Sequence, residues 1–437
     1  MIQIGIALVI SILALIAVSR LLKLHAFFAL LLAAVLFGLI VGKPFLEILF
    51  TMQSGFGLLL QQIGFLVAIG SCLGTVMEKT GAMATLGNKI ITSFGKSRIT
   101  LAMAVIGLLV GIPVFCDSGF IILSRLIPAL ASSAATPAQL SLALSTSLYT
   151  SHTLIPPTPG PLAASANLGA TSHLGLVMLV GLVGSLPVTG VAYFLSHKLG
   201  LRISTTTPNI ETPEVHAQST ILISIPLAIP IVLIAVASLP TLIPTLQSWS
   251  ILQVIGNPAV ALLLGLSFSF LLIRGNQKQT WPGWISEALK DAGIILLITG
   301  AGGAFGSVIK SSGLDLILKD VLADSQSGGI IFLLIAFAVA AILKTAQGSS
   351  TSAIIITSSL LAPLTLGAGF SAPLDLATLI LAIGGGAMTV SHANDSYFWV
   401  VSQFSGIRER DAYKSFTLIT LAQGLTALAT SVLIYLL

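Results

Sequence analysis

Four stretches of this chain put hydrogen-bonding and ionisable side chains where the flanking sequence is apolar. The last is Ser391-His392-Ala393-Asn394-Asp395-Ser396, between the apolar runs 374–390 and 397–401. It offers a carboxylate, an imidazole, an amide and two hydroxyls. A second is Lys344-Thr345-Ala346-Gln347-Gly348-Ser349-Ser350-Thr351-Ser352, which brings an ammonium group and a run of hydroxyls. Two more occur earlier, at Gly111-Ile112-Pro113-Val114-Phe115-Cys116-Asp117-Ser118-Gly119 and at Ser151-His152-Thr153-Leu154-Ile155-Pro156-Pro157-Thr158-Pro159-Gly160-Pro161. Backbone at membrane depth must satisfy its N–H and C=O groups internally, so polar irregular stretches survive there only when packed in protein or lining a cavity. One such stretch reads equally well as a surface loop between two helices; four of them form a pattern.

The chemistry these residues offer is recognition of a small anion and transfer of a proton. Asp117 ends a mostly apolar run, and desolvation disfavours its charged form, which suits a proton-carrying carboxylate. The competing structural reading pairs it with Arg125, the nearest cation in sequence. Asp395 can be neutralised by a helix N-terminus or can bind a cation. Arg125 and Lys344 are the intramembrane cations available to a substrate carboxylate, Arg through a bidentate fork, although both could instead snorkel to the interface. His152 and His392 recur at equivalent places, and histidine as a residue type titrates near neutrality and can donate to hydroxyls. Ser118, Gln347, Ser349, Ser350, Thr351, Asn394 and Ser396 supply the neutral hydrogen bonds that a polyhydroxylated substrate needs, while small polar residues also glue membrane helices together. Gly160 and Gly348 permit turns or close backbone approach, and Pro156, Pro157, Pro159 and Pro161 cannot sustain a regular helix.

The elements that must position these groups are membrane helices. Of the 437 residues, 55% are hydrophobic and only 8% charged, and mean hydropathy is +1.06; a soluble domain carries about 25% charged residues. Counting apolar runs near the roughly 20 residues that cross a bilayer gives about 11 to 14 segments. The first, 2–19, lacks a basic leader and a small-residue cleavage site and reads as a retained helix. Net charge is +5, but Lys and Arg are scattered through short loops, which points to membrane topology and away from nucleic acid. Cys72 and Cys116 both lie in apolar segments, so neither a disulfide framework nor a metal knuckle is expected.

The polar stretches recur at a fixed spacing. Gly74 and Gly81, in Gly70-Ser71-Cys72-Leu73-Gly74-Thr75-Val76-Met77-Glu78-Lys79-Thr80-Gly81, stand 232 residues before Gly306 and Gly313 of a matching segment. Ser151-His152 stands 240 residues before Ser391-His392. Lys79, Lys89, Lys96 and Arg98 follow the first copy of the long segment, whereas Asp315, Asp320 and Asp324 follow the second, with only Lys310 and Lys319. Because Lys and Arg accumulate in short cytoplasmic loops, matching helices have opposite polarity. The sequence therefore predicts a first transmembrane repeat over 1–200, a cytoplasmic linker over 201–219 and a second, inverted repeat over 220–437. Transporters recurrently pair inverted repeats with substrate sites at broken helices near the midplane.

The chain resembles the gluconate:proton symporter (GntP) family over nearly its whole length. The likeness is carried by Gly111-Ile112-Pro113-Val114-Phe115-Cys116-Asp117, by Pro156-Pro157-Thr158-Pro159-Gly160-Pro161, by Ala346-Gln347-Gly348-Ser349-Ser350-Thr351 and by Ser391-His392-Ala393-Asn394-Asp395-Ser396. The family's patterns run closer to GIPVFFD, PPHPGP and SHVNDS followed by GFW, so this chain departs at Cys116, Thr158, Ala393 and Tyr397. Thr158 stands where the family has an ionisable His, which argues against a proton-coupling role for that position here. The resemblance implies an all-α polytopic membrane protein of the ion-transporter-superfamily type, with hairpins and broken helices. It implies a permease of the bacterial cytoplasmic membrane that imports gluconate-like sugar acids or hydroxy acids with protons. Its partners would be a small carboxylate substrate, a proton and the lipid bilayer; no nucleic acid and no cofactor is expected, and homo-oligomerisation is left open.

Two other classes stay open from the residues alone. A sodium-coupled organic-anion carrier or passive channel could use the Ser-Ser-Thr and Asn-Asp-Ser oxygens. An intramembrane enzyme could use Ser, His and Asp at membrane depth, but the chain has no H-E-x-x-H zinc signature, and a Ser/His pair without geometry is a statement of composition.

Overall fold

The computed structural model describes residues 2–22, 24–95, 98–112, 114–131, 135–205, 220–237, 254–275, 277–312, 328–393 and 395–437. The regular structure among them is helical, apart from isolated bridges such as that between Thr205 and Ile407. In the first half the helices are α1 (Ile2–Leu21), α2 (Ala26–Ile40), α3 (Phe45–Lys79), α4 (Ala82–Phe94), α5 (Ile99–Val110), α6 (Cys116–Ser124), α7 (Ile127–Leu130), α8 (Pro137–Leu154), α9 (Pro159–Asn167) and α10 (Leu174–Gly200). The second half holds α11 (Thr220–Ala237), α12 (Pro258–Ser269), α13 (Gln277–Lys310), α14 (Gly328–Gln347), α15 (Ser350–Leu361), α16 (Pro373–Met388), α17 (Ser396–Ser405), α18 (Glu409–Lys414) and α19 (Phe416–Tyr435). Among the described residues five helices are long and apolar enough to cross a membrane, and seven more are apolar over 10–17 residues. This is a polytopic membrane protein. Most of the linker predicted over 201–219, and the acidic stretch holding Asp315, Asp320 and Asp324, lie outside the described residues.

The short helices matter most for function. At 1.5 Å per residue α6 and α9 are each about 14 Å long, too short for a hydrocarbon core of about 30 Å. Each is one half of a segment that breaks inside the bundle. The breaks have local causes. Gly348 takes φ +79 between α14 and α15, a conformation that glycine adopts without the steric cost of a Cβ. Pro159 occupies the first turn of α9, where its missing N–H costs nothing, while Pro156 and Pro157 cannot continue α8. Val390, between α16 and α17, has φ 55, which is costly for a β-branched residue. It is bracketed by hydrogen bonds: Thr389 Oγ1 donates to Gly385 O at 2.7 Å, Ser391 N donates to Thr420 Oγ1 at 3.0 Å, and Thr417 Oγ1 donates to Ser391 O at 2.6 Å.

Packing joins the halves in reciprocal fashion. The long helices α3 and α13 run antiparallel, with Gly55 against Gly303 near one end and Lys79 against Glu287 near the other. Helix α2 packs on α13 and α12 on α3; α5 packs on α8 and α14 on α16; α8 packs on α10 and α16 on α19. The short halves cross over, with α6 against α17 and α9 against α15. Helices α8 and α16 begin alike. Each has Pro at its first position, and a side chain three residues past the N-cap accepts from the N-cap N–H, Gln139 from Thr136 at 2.8 Å and Asp375 from Ala372 at 3.2 Å.

Several crossings depend on missing side chains, as expected where close backbone approach drives association in lipid. A Cβ on Gly386 of α16 would stand 2.2 Å from Phe337 O of α14, and one on Gly384 would stand 2.4 Å from Thr153 O of α8. Gly386→Leu is therefore expected to cost at least about 1–3 kcal/mol through overpacking. Gly190, with open space around its Cβ direction, is the control. Thermal unfolding of the detergent-solubilised protein checks this: an unchanged midpoint for Gly386→Leu would refute the close crossing.

Candidate functional site

The four breaks deliver four helix starts. Phe115 caps α6, with Asp117 in its first turn; Thr158 caps α9; Ser349 caps α15; and Asp395 caps α17. Helix N-termini carry free N–H groups and favour anions. Two of the caps are made by side chains, since Ser349 Oγ accepts from Ser352 N at 3.2 Å and Asp395 Oδ1 accepts from Tyr397 N at 3.1 Å.

At the centre is a buried ion pair. Lys344 Nζ lies 2.5 Å from Asp395 Oδ2, and Lys344 is only 1% exposed. The ammonium also donates to Gly348 O at 2.9 Å and sits 5.6 Å above the Tyr149 ring. Ser391 Oγ donates to the same carboxylate oxygen. Lys344 thus joins the hairpin turn of α14–α15 to the start of α17. His152 Nε2 lies 3.2 Å from Thr351 Oγ1, tying the end of α8 to the tip of α15. Tyr397 OH donates to Ser145 O at 2.8 Å, and its ring packs against Tyr149 and Phe120. Asp117 and His152 both lie within electrostatic reach of the Lys344–Asp395 pair.

Around this pair are buried polar atoms without a hydrogen-bond partner among the described residues. They include Asp117 Oδ1, Tyr149 OH, His152 Nδ1 and both amide atoms of Gln347. Such atoms are rare, and each needs an explanation. Here they come from α6, α8 and α14, the helices that meet at the breaks. The Cys116 thiol donates weakly to Asp117 Oδ2 over 3.8 Å.

The remaining residues singled out in the sequence fall as follows. Ser350 is buried and Thr351 half-buried in the first turn of α15. Gly160 packs on Ile354, where a Cβ would come within 2.8 Å of Cδ1, so it serves the crossing of α9 and α15. Thr158 donates to Ile155 O and lines a small cavity of about 30 Å³ with Phe115 and Ser71. Ser118 faces a second cavity, also lined by Phe115. His392 is half-buried in the break before α17, Ser396 is exposed, and Asn394 lies outside the described residues. Arg125 closes the far end of α6, about 12 Å along the helix from Asp117. No ion pair joins it to Asp117 among the described residues, and its Nε finds no partner there. Tyr149 and Tyr397 did not emerge as site residues from the sequence. The signal for Tyr149 was its place one turn before His152 on α8, and Tyr397 stood at a departure from the family pattern.

An apolar bundle whose broken helices meet around a buried charged centre is the build of a membrane transporter. A family model described as GntP family permease matches residues 3–437, and the chain belongs to that family; it is a permease and not an enzyme. It is 32% identical over 429 residues to the inner membrane permease YgbN of Escherichia coli K12, with 92% of each chain covered. It is 31% identical over 425 residues to a gluconate permease of Pseudomonas aeruginosa PAO1, covering 93% of this chain and 92% of that one. In fold it is similar to the crystal structure of the YdaH transporter of Alcanivorax borkumensis, with a TM-score of 0.68 at 16% identity, covering 94% and 97% of the two chains.

Proposed function

We propose that the protein imports gluconate or a related sugar acid or hydroxy acid together with protons across a bacterial cytoplasmic membrane. The observation that carries this reading is the buried Lys344–Asp395 pair with Asp117 within its electrostatic reach and without an ion-pair partner among the described residues. The pair is neutral as a unit, so an ionised Asp117 and a substrate carboxylate would add two negative charges to one low-dielectric centre. A proton on Asp117 removes one of them. The substrate carboxylate can then compete with Asp395 for Lys344, while Gln347, Tyr149, His152 and Thr351 offer hydrogen bonds to hydroxyls. Gluconate as the substrate class rests on the relative that carries that name.

The architecture belongs to the same proposal. Residues 1–200 and 220–437 form two repeats inverted in the membrane, joined by a cytoplasmic linker over 201–219. Supporting this are the reciprocal packing, the shared cap chemistry of α8 and α16, and the charge bias of the loops.

The test is uptake by proteoliposomes of a panel of labelled sugar acids under imposed proton or sodium gradients. Accumulation of a gluconate-like anion driven by an inward proton gradient, with sodium without effect, is expected. Sodium-dependent accumulation, or downhill flux alone, would replace the symport reading with a sodium carrier or a channel.

A further inference from the structure

Two open cavities stand near opposite ends of the α3–α13 pair. One, of about 370 Å³, is walled by Gly55 and Leu59 of α3 and by Ser307 and Lys310 of α13. The other, narrower at about 60 Å³, is walled by Thr75 and Glu78 of α3 and by Glu287 and Asp291 of α13. The 232-residue spacing maps these walls onto each other: Thr75 onto Ser307, Glu78 onto Lys310, Gly55 onto Glu287 and Leu59 onto Asp291. The same wall positions are built twice with the charge inverted. In the larger cavity Lys310 is the only charged residue among the described lining residues. In the smaller, three carboxylates face one cation, Lys79, which is held 3.0 Å from Glu287.

The larger cavity ends inside the bundle. Asn167 and Ser359 line it, and Asn167 Nδ2 donates to Ile355 O at 3.1 Å and to Ser358 Oγ at 2.8 Å. Those bonds clamp α9 to α15 between Ser359 and the tip of α15 at Ser350. Helix α15 thus runs from the cavity wall at Ser359 to the central site, where His152 meets Thr351. The neutral lining adds hydroxyls and the Gln62 amide, with no carboxylate among the described residues to repel an anion.

We propose that the Lys310 cavity is a loading site for a polyhydroxylated monocarboxylate. The carboxylate rests on the Lys310 ammonium, and the hydroxyls on Gln62, Ser307 and Ser359. The acidic cavity at the other end disfavours the same anion, so the two mouths bind substrate unequally. This rests on the sugar-acid transport reading above.

Half-saturation is measured for labelled gluconate in proteoliposomes of fixed orientation, with substrate presented at either face. Lys310→Gln is expected to raise half-saturation at the Lys310 face about two- to fivefold, the worth of one solvent-exposed charge pair. Maximal rate and the opposite face stay unchanged, and Lys310→Arg keeps the wild-type value. Glu287→Gln with Asp291→Asn is expected to lower half-saturation at the acidic face by a similar factor, with the Lys310 face unaffected. An unchanged half-saturation for Lys310→Gln, or an equal rise at both faces, overturns the loading site while leaving the transport reading intact. Wild-type protein that moves no sugar acid from either face overturns both.

Discussion

Asp117→Asn is expected to exchange labelled substrate at close to the wild-type rate and to lose accumulation driven by a proton gradient altogether. Asn keeps the shape of the carboxyl group and mimics its neutral form. The start of α6, the 3.8 Å thiol contact from Cys116 and the buried surroundings of Oδ1 are left in place. What disappears is the group proposed to carry the proton with the anion. If protonation of Asp117 relieves repulsion of the substrate, proton and substrate bind with positive linkage, each raising the affinity of the other. For one proton per anion, each unit of pH difference is worth about tenfold accumulation, and that factor should fall to one. Substrate affinity should strengthen as pH falls in the wild type and become flat in the variant. Counterflow and gradient-driven uptake in the same proteoliposomes separate the two effects. If Asp117→Asn still concentrates substrate with normal pH dependence, the coupling group is Asp395 or a histidine.

The second expected result concerns the pair at the centre. Lys344→Met leaves Asp395 buried without its cation, and Asp395→Asn leaves Lys344 buried without its anion. Removing one partner of a buried pair costs about 3–5 kcal/mol, because the charge left behind is uncompensated. Either single change should lower the thermal midpoint sharply and abolish exchange as well as accumulation, which sets Asp395→Asn apart from Asp117→Asn. The double variant Lys344→Met/Asp395→Asn removes both charges, and its Asn can still cap α17 by accepting from Tyr397 N. It should recover most of the lost stability and none of the transport. A double-mutant cycle on the unfolding midpoint reads the coupling directly. Strictly additive losses would mean that the 2.5 Å contact is no energetic unit.

What the sequence determined by itself was local or compositional. Hydropathy made the chain a polytopic membrane protein, because so little charge cannot cover a soluble surface. The four polar stretches, the family motifs and the 232-residue spacing were legible for a related reason: a break in a membrane helix needs residues that refuse helix geometry or tolerate losing it. Gly348 and the prolines around Thr158 announce themselves in any window that contains them. Which cation meets which carboxylate was decided only by the tertiary structure. Arg125 is eight positions from Asp117 in sequence and lies at the opposite end of the same helix, whereas Lys344 reaches Asp395 across 51 residues and His152 reaches Thr351 across 199. Such pairings depend on how the helices cross inside the bundle, and the glycine contacts at those crossings, Gly160 on Ile354 of α15, Gly384 on Thr153 of α8 and Gly386 on Phe337 of α14, lie far apart in sequence. The left-handed Val390 is the extreme case, because nothing in its own chemistry favours that conformation and only hydrogen bonds from Thr417 and to Thr420, on another helix, bracket it there.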